Sequence, residues 1–434
     1  MLTNVYTPQI GGVTRSVQQY QEELRRQGHH VLVVAPDYEE NPEQEEGVIR
    51  VPAIPRFYLD VYSLPIPSLS LLLPQVREFQ PDVVHVHHPF LLGSIGQLIA
   101  ADLNVPLVYT HHTRYSAYIE TKTNIPRPME EGIVELIVGF CELSDGVVAP
   151  SEGIRQLLIQ KGVTSRIDVI PTGVELERFE KASGDRFRKT HSISPETFVV
   201  GHVGRLSPEK NALFLTRAVA RFLKEHPKAR FVVVGDGPSR SEMEQCLKEK
   251  GLLEQALFVG FLEGEKLADA YASFDVFAFA SHSETQGMVL AEAMAAGVPV
   301  VAVNATGVQD FLQDGVNGRL IESDDERQFA ASLTSIIDAS EEERRQLRAG
   351  ALKSAEQASQ PRCTRRMVEF YKELTAGTPR TSQSEWERML KRWEASWELW
   401  RIRTQALATA AHESLSFQSD DPLESDSTGA NLSI

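Results

Sequence analysis

At about 150 residues per domain, 434 residues make two to three domains, and a composition of 42% hydrophobic and 24% charged residues excludes a wholly disordered chain. Lys plus Arg number 44 against 60 Asp plus Glu, so the net charge is −16, which argues against a nucleic-acid binder and against broad capture by anionic lipid. Cys141, Cys246 and Cys363 lie far apart with no CxxC pair, no apolar run reaches the length of a membrane span, and no leader pattern is visible. Free thiols in a soluble cytoplasmic protein are the expectation.

The chain opens on LTNVY (2–6), a first strand several residues shorter than a doubly wound domain normally has. A misplaced start or a short edge strand would each explain it. The loop TPQIGG (7–12) follows, and then VTRSVQQYQEELRRQG (13–28), a helix pattern closing on Gly28. HHVLVVAP (29–36), DVVHVHHP (82–89), VPLVYTHHT (105–113) and SDGVVAPS (144–151) read as strands. KASGDRFRKTHSISPET (181–197) is polar and turn-rich, a linker. Beyond it FVVGHVGRL (198–206), RFVVVGDGP (230–238), ALFVGFL (256–262), FDVFAFAS (274–281) and VPVVAVN (298–304) are continuous apolar runs of the kind found in buried parallel strands. This alternation predicts two α/β domains of doubly wound parallel sheet, 1–180 and 198–360, facing across a cleft. A helix over 361–377 suits a segment packing back across them. Residues 378–412 form a further helical stretch with Trp386, Trp393, Trp397 and Trp400 at spacings of 7, 4 and 3, hence on one face. Residues 413–434 hold five acidic residues and no Lys or Arg, and read as a disordered tail.

Four segments carry the chemistry. In ASHSETQGMVLAEAMAAGVPVVA (280–302), Glu284 falls in the loop after a strand and Glu292 lies inside the helix that Gly287 begins. The N–H groups of Gly287, Met288 and Val289 offer an anion site, and a carboxylate one turn in suits vicinal hydroxyls. The alternative is two solvated glutamates flanking a helix start. In VGRLSPEKN (203–211), Arg205 and Lys210 follow a buried strand, where two cations either neutralise a diphosphate without metal or are plain surface charge. No DxD ends a buried strand, so a metal-assisted site is not indicated. Gly11 and Gly12 permit close backbone approach at a helix N-terminus, or simply make a turn, and there is no GxGxxG fingerprint. Among the histidines of HVHH (85–88) and THHT (110–113), His112 suits a sugar hydroxyl, while His85, His87 and His88 read as structural.

GGV (11–13), THHT (110–113), PTGVE (171–175), VGRLSPEKN, VVVGDGP (232–238) and the E-x7-E of SETQGMVLAEAMAAGVPVV (283–301), in this order and spacing, resemble the retaining GT-B glycosyltransferases of family four (glycosyl transferases group 1) over roughly residues 1–376. The resemblance implies a GT-B fold of two Rossmann-like domains, with a C-terminal helical extension outside the family pattern. It implies a nucleotide-sugar donor, no cofactor and no metal. Arg205 and Lys210 would hold the donor diphosphate, Glu292 the ribose hydroxyls, and Glu284 the transferred sugar. Gly287, Met288 and Val289 would present N–H groups to sugar or phosphate, Gly12 would approach the phosphates, His112 would bond the sugar, and Leu262 would meet the base. With IPRFYLDVYSLPIPSLSLLLP (54–74), HVHHPFLLG (85–93) and YTHHTRYSAYI (109–119), the chain resembles bacterial diacylglycerol glucosyltransferases and related lipid enzymes. That implies UDP-glucose as donor, a membrane lipid as acceptor, and a peripheral site at the inner face of the membrane. An apolar loop at 54–74 either dips into a bilayer or packs on the cleft. The same chemistry on a sugar phosphate or polysaccharide, or a non-catalytic sugar-nucleotide-binding protein, are the rival readings. The tryptophan face has three readings: packing on the body, a protein partner, or a membrane surface.

Overall fold

The computed structural model describes residues 1–9, 11–41, 45–58, 62–112, 127–282, 284–377 and 385–419. Residues 113–119 of the expected acceptor segment, Ser283, and 378–384 and 420–434 of the extension lie outside the described residues.

The first lobe contains α1 (Gly12–Arg26), β1 (Val33–Pro36), β2 (Val48–Val51), β3 (Ala53–Tyr58), β4 (Tyr62–Pro65), α2 (Leu69–Phe79), β5 (Val84–Val86), α3 (Leu92–Leu103), β6 (Leu107–Thr110), α4 (Arg127–Glu142), β7 (Gly146–Ala149), α5 (Glu152–Gln160) and β8 (Ile167–Val169). Strands β5-β6-β7-β8 are parallel, β1 pairs with β2, and Leu2 bridges Val34 on one side and Val86 on the other. The opening residues therefore lie at the centre of the lobe's sheet, which corrects the edge reading. Leu2 N donates to His85 O at 2.8 Å and Thr3 N to Val34 O at 3.0 Å. Every residue of β1, β5, β6 and β7 is buried, as strands covered on both faces must be. On α1 the buried Val17, Tyr20 and Leu24 recur at helical spacing. Segment 54–74, expected as an apolar loop, instead holds the antiparallel pair β3–β4 and the start of α2, with 59–61 outside the described residues. Its β-branched and aromatic residues favour paired strands over irregular chain.

The second lobe follows α6 (Leu176–Glu180) and α7 (Gly184–Thr190). It contains β9 (Val199–Val203), α8 (Ala212–Glu225), β10 (Arg230–Val234), α9 (Arg240–Glu249), β11 (Ala256–Gly260), α10 (Gly264–Ala272), β12 (Val276–Phe279), α11 (Met288–Ala295), β13 (Val300–Val303), β14 (Gly318–Ile321), α12 (Glu326–Ile337) and α13 (Glu341–Gln357). Its sheet is parallel with order β11-β10-β9-β12-β13-β14. The order reverses beside β9, and such a switch point opens a crevice at the carboxyl ends of the strands. The stretch 181–197 is not a bare linker. Helix α7 lies within it, tied to the second lobe by Arg186 on Asp269 and by Arg188 on Asp275 at 2.9 Å.

Helix α14 (Gln360–Gly377) returns to the first lobe. Gln360 Nε2 donates to Gln19 O at 2.7 Å, Arg166 pairs with Glu373 at 2.6 Å, and the ring of Phe370 stands over Gly146. The expected tryptophan helix is α15 (Glu385–Ser419), which runs seven residues into the stretch expected to be disordered. Its buried side is not the tryptophan side. Ala395, Leu399, Ile402 and Ala406 pack on α3 and α4, while Trp393, Trp397 and Trp400 are exposed. Arg392 reaches the buried Asp102 at 3.3 Å, which Arg77 also holds at 2.9 Å. A Cβ on Gly139 would lie 2.7 Å from Ile402 Cγ2. Gly139→Val therefore overpacks this seam and should cost about 1–3 kcal/mol, read as a lower urea midpoint. No change in midpoint would show that the helix does not dock there. No helix among the described residues is long and apolar enough to cross a membrane.

Candidate active site

Gly287 is the N-cap of α11 at φ +72°, left-handed backbone that suits glycine, and Met288 and Val289 form the first turn. The N–H groups of these three residues have no acceptor outside the helix among the described residues. Glu292, one turn further, is buried. Its Oε2 accepts from Tyr271 Oη at 2.8 Å and its Oε1 from Arg15 Nη1 at 3.0 Å. Arg15 lies in the first turn of α1, in the other lobe, so Glu292 is shared between a tyrosine of its own lobe and a cation reaching over from the facing one. Gly12 begins the same helix and is exposed, with open space where a side chain would stand.

Strand β9 delivers the cations. After it, Gly204 turns the chain and Arg205 is exposed, without an ion pair among the described residues. A short 3-10 turn, Pro208–Lys210, then brings Lys210 Nζ to Glu284 Oε1 at 2.5 Å. Glu284 enters from the loop after β12, the neighbour of β9 in the sheet, which is why residues 74 apart in sequence meet. The loop after β10 clamps this turn. Gly235 and Gly237 have φ of +127° and +157°, and Cβ atoms there would lie 2.0 Å from Gly204 O and 2.3 Å from Leu206 O. Beneath, His202 is buried, with Nδ1 at 3.0 Å from Ala278 O and Nε2 unpartnered. Burial lowers its pKa to about 4.

His112 ends the described part of the loop after β6. Its Nε2 is 2.8 Å from His87 Nδ1, with the rings stacked at 5.1 Å. Burial, helped by His88 and His111, lowers its pKa to about 3, so it is neutral at pH 7 and its charge is not available to a ligand. His85 bonds Tyr371 Oη at 2.5 Å and Thr110 Oγ1 at 2.6 Å, and His88 Nδ1 accepts from Asn4 N at 3.1 Å. Leu262 follows β11 and, like Met288 and Val289, is half-buried against the core of the second lobe.

Of the residues singled out in the sequence, the structure joins Lys210 to Glu284, and Glu292 to the helix that Gly12 begins. Arg205 bonds neither glutamate, and His112 bonds only its own lobe. Sequence reasoning missed Arg15, Tyr271 and the contacts that close the lobes. Ser151 Oγ donates to Thr285 O at 2.6 Å, and Thr172 N to Gln286 Oε1 at 3.2 Å. Arg15 stands in the helix pattern after the glycine loop, where an arginine carries no signal of a partner in the other lobe. Tyr271 had none either, because a tyrosine in a helix pattern reads as core.

The description Glycosyltransferase Family 4 matches residues 10–178, and Glycosyl transferases group 1 matches residues 184–354. The alpha-monoglucosyldiacylglycerol synthase of Streptococcus pneumoniae is 32% identical, over 74% of this chain and 74% of that protein. The GDP-mannose-dependent alpha-mannosyltransferase of Mycobacterium tuberculosis is 34% identical, over 73% of this chain and 81% of its own. Among solved structures, HepE of Anabaena in complex with UDP superposes with a TM-score of 0.68 at 21% identity, over 86% of this chain and 99% of that one, which establishes the shared fold.

Proposed function

The chain belongs to the glycosyltransferases of group 1 and family 4, and we propose that it transfers glucose from UDP-glucose to a hydroxyl of a membrane lipid such as diacylglycerol, with anomeric retention and without a metal ion. The observation that carries the reading is the Lys210–Glu284 pair, made at the carboxyl ends of the neighbouring strands β9 and β12, in the loop that leads into the N-terminus of α11. Lys210 and Arg205 hold the diphosphate, and Glu292 takes the ribose hydroxyls in place of Arg15. Glu284 holds the Lys210 ammonium in place and accepts from hydroxyls of the transferred sugar. The bond between C1 and the phosphate oxygen breaks with oxocarbenium character, and the negative charge appearing on the departing diphosphate meets cations already in place. The acceptor oxygen bonds C1 on the same face, and its proton passes to a diphosphate oxygen. Neutral His112 offers a hydrogen bond to the sugar.

The lipid acceptor is supported by the diacylglycerol enzymes of Streptococcus pneumoniae and of Acholeplasma laidlawii, the latter 28% identical over 75% of this chain and 85% of its own. It also accords with Ile54, Ile66 and Leu71, which expose apolar side chains on the hairpin and α2 of the first lobe. A panel of UDP- and GDP-sugars with dispersed diacylglycerol, run with and without EDTA and read by NMR of the product anomer, tests the reading. An α-glucosyl lipid formed equally with chelator supports it. Transfer from GDP-mannose alone, an inverted product, or loss of activity with EDTA would each remove the corresponding part.

Tyr271 acts through Glu292. Tyr271→Phe removes one hydrogen bond and should raise the donor KM about 2- to 10-fold while kcat changes little. Equal losses in both would place the hydroxyl in the chemistry.

A further inference from the structure

Helix α15 docks on the first lobe through Ala395, Leu399, Ile402 and Ala406 and turns a second apolar stripe outward. Trp393, Trp397, Trp400 and Leu407 are 66%, 50%, 55% and 70% exposed, and Leu390 is exposed in line with them. The indoles form a ladder, with ring centroids 6.4 Å apart for Trp393 and Trp397 and 4.9 Å for Trp397 and Trp400. The stripe reads Leu390, Trp393, Trp397, Trp400, Thr404, Leu407, alternating spacings of three and four. That is the a/d seam of a coiled coil over more than two heptads. A helix buried on one side has no internal use for such a seam on the other. It lies on the far side of α15 from α3 and α4, so a second helix can lie along it without meeting the body.

We propose that this seam pairs with the same seam of a second copy of the chain, antiparallel about a two-fold axis near Trp397 and Trp400. In that register Trp397 of one copy meets Trp400 of the other, Trp393 meets Thr404, and Leu390 meets Leu407. Each of these layers occurs twice, once on either side of the axis, as an isologous contact requires. The flanking charges fit the same register. Among the described residues Glu394 is exposed with no ion pair or hydrogen bond, and Arg401, paired there with its own Glu398 at 2.8 Å, comes opposite it twice per dimer. In a parallel pairing Glu394 would instead face Met389, and no opposite charges would meet. The stripes together bury on the order of 1,000 Å², the threshold for a specific association, so dimerisation depends on concentration. A lipid surface fits the seam less well. Glu394 and Glu398 border it alongside Arg401, a mixed edge, whereas helices lying on membranes carry mainly Lys and Arg there, and the net charge of −16 is repelled by anionic lipid.

Sedimentation equilibrium of the full chain over a wide concentration range tests this. The expected result is a reversible monomer–dimer equilibrium. Trp397→Glu should raise the dissociation constant at least about tenfold with helicity and melting temperature unchanged, since this side chain faces away from the body. Glu394→Arg should weaken the dimer, and Glu394→Arg with Arg401→Glu should restore it. A strictly monomeric wild type, or a dimer indifferent to Trp397→Glu, overturns the proposal. So does a monomer whose flotation with phosphatidylglycerol vesicles is lost in Trp397→Glu, which would assign the seam to lipid.

Discussion

Lys210→Ala should lower kcat by about 10²- to 10³-fold, the scale expected when one preorganised group opposite a developing negative charge is removed. Lys210 is three-quarters buried, held against Glu284 and fixed by a three-residue turn at the end of a buried strand. Its ammonium is therefore in place before the diphosphate departs, and no reorganisation is needed at the moment of reaction. Arg205→Ala should have an effect of the same order, from a different starting point: Arg205 is exposed and without an ion pair among the described residues, so its contribution begins when the donor arrives. Arg205→Ala breaks no ion pair, so its thermal stability should stay near that of the wild type, whereas Lys210→Ala leaves Glu284 without its partner and should melt lower while remaining folded. Steady-state kinetics on folded variants check this, and activity within a few-fold of wild type in either would contradict the assigned role.

Between pH 7 and pH 5 the first lobe should lose stability steeply. Burial lowers His85 and His87 well below the ordinary histidine range, His88 and His111 to about 4, and His112 to about 3. In the unfolded chain these groups titrate near 6.5, so from about 6.5 down to about 4 the unfolded state binds protons that the native lobe does not. Stability is full above that window and falls as pH drops through it, by up to about 1.4 kcal/mol per pH unit for each histidine while the difference persists. Among the described residues the second lobe has two such groups, His202 at about 4 and the less buried His191 at the end of α7, and should outlast the first. Asp275 and Asp310, raised by burial, act in the opposite sense only nearer the carboxylate range. Urea midpoints followed separately in the two lobes would show the asymmetry. A flat profile over this range would mean that the cluster is hydrated rather than buried.

The parallel strands were legible because a strand covered on both faces must be apolar at every position, as FVVV (231–234) and VFAFA (276–280) are. β8 and β14 were missed because IDV and GRLI carry no continuous apolar run: β8 is only half-buried, and in β14 only the two end residues are buried. The tryptophans were correctly placed on one face of a helix, but the sequence has no mark to say which face docks. Small residues decide it: Ala395, Ala406 and Gly139 let α15 and α4 approach closely, while the indoles are left outside. In the site, Lys210 and Glu284 were readable because both follow strands, and adjacency in a parallel sheet brings strand ends together. The Arg15–Glu292 pair was not readable, since it depends on how the two lobes meet and on no local pattern.

The central claim is that the second lobe grips a diphosphate through Arg205 and Lys210. Calorimetric titration of UDP and UMP into the wild type and into Arg205→Ala with Lys210→Ala tests it most directly. The account predicts that the wild type binds UDP at least about tenfold more tightly than UMP, and that the double variant binds the two alike. A preference for UDP that survives the loss of both cations would contradict it.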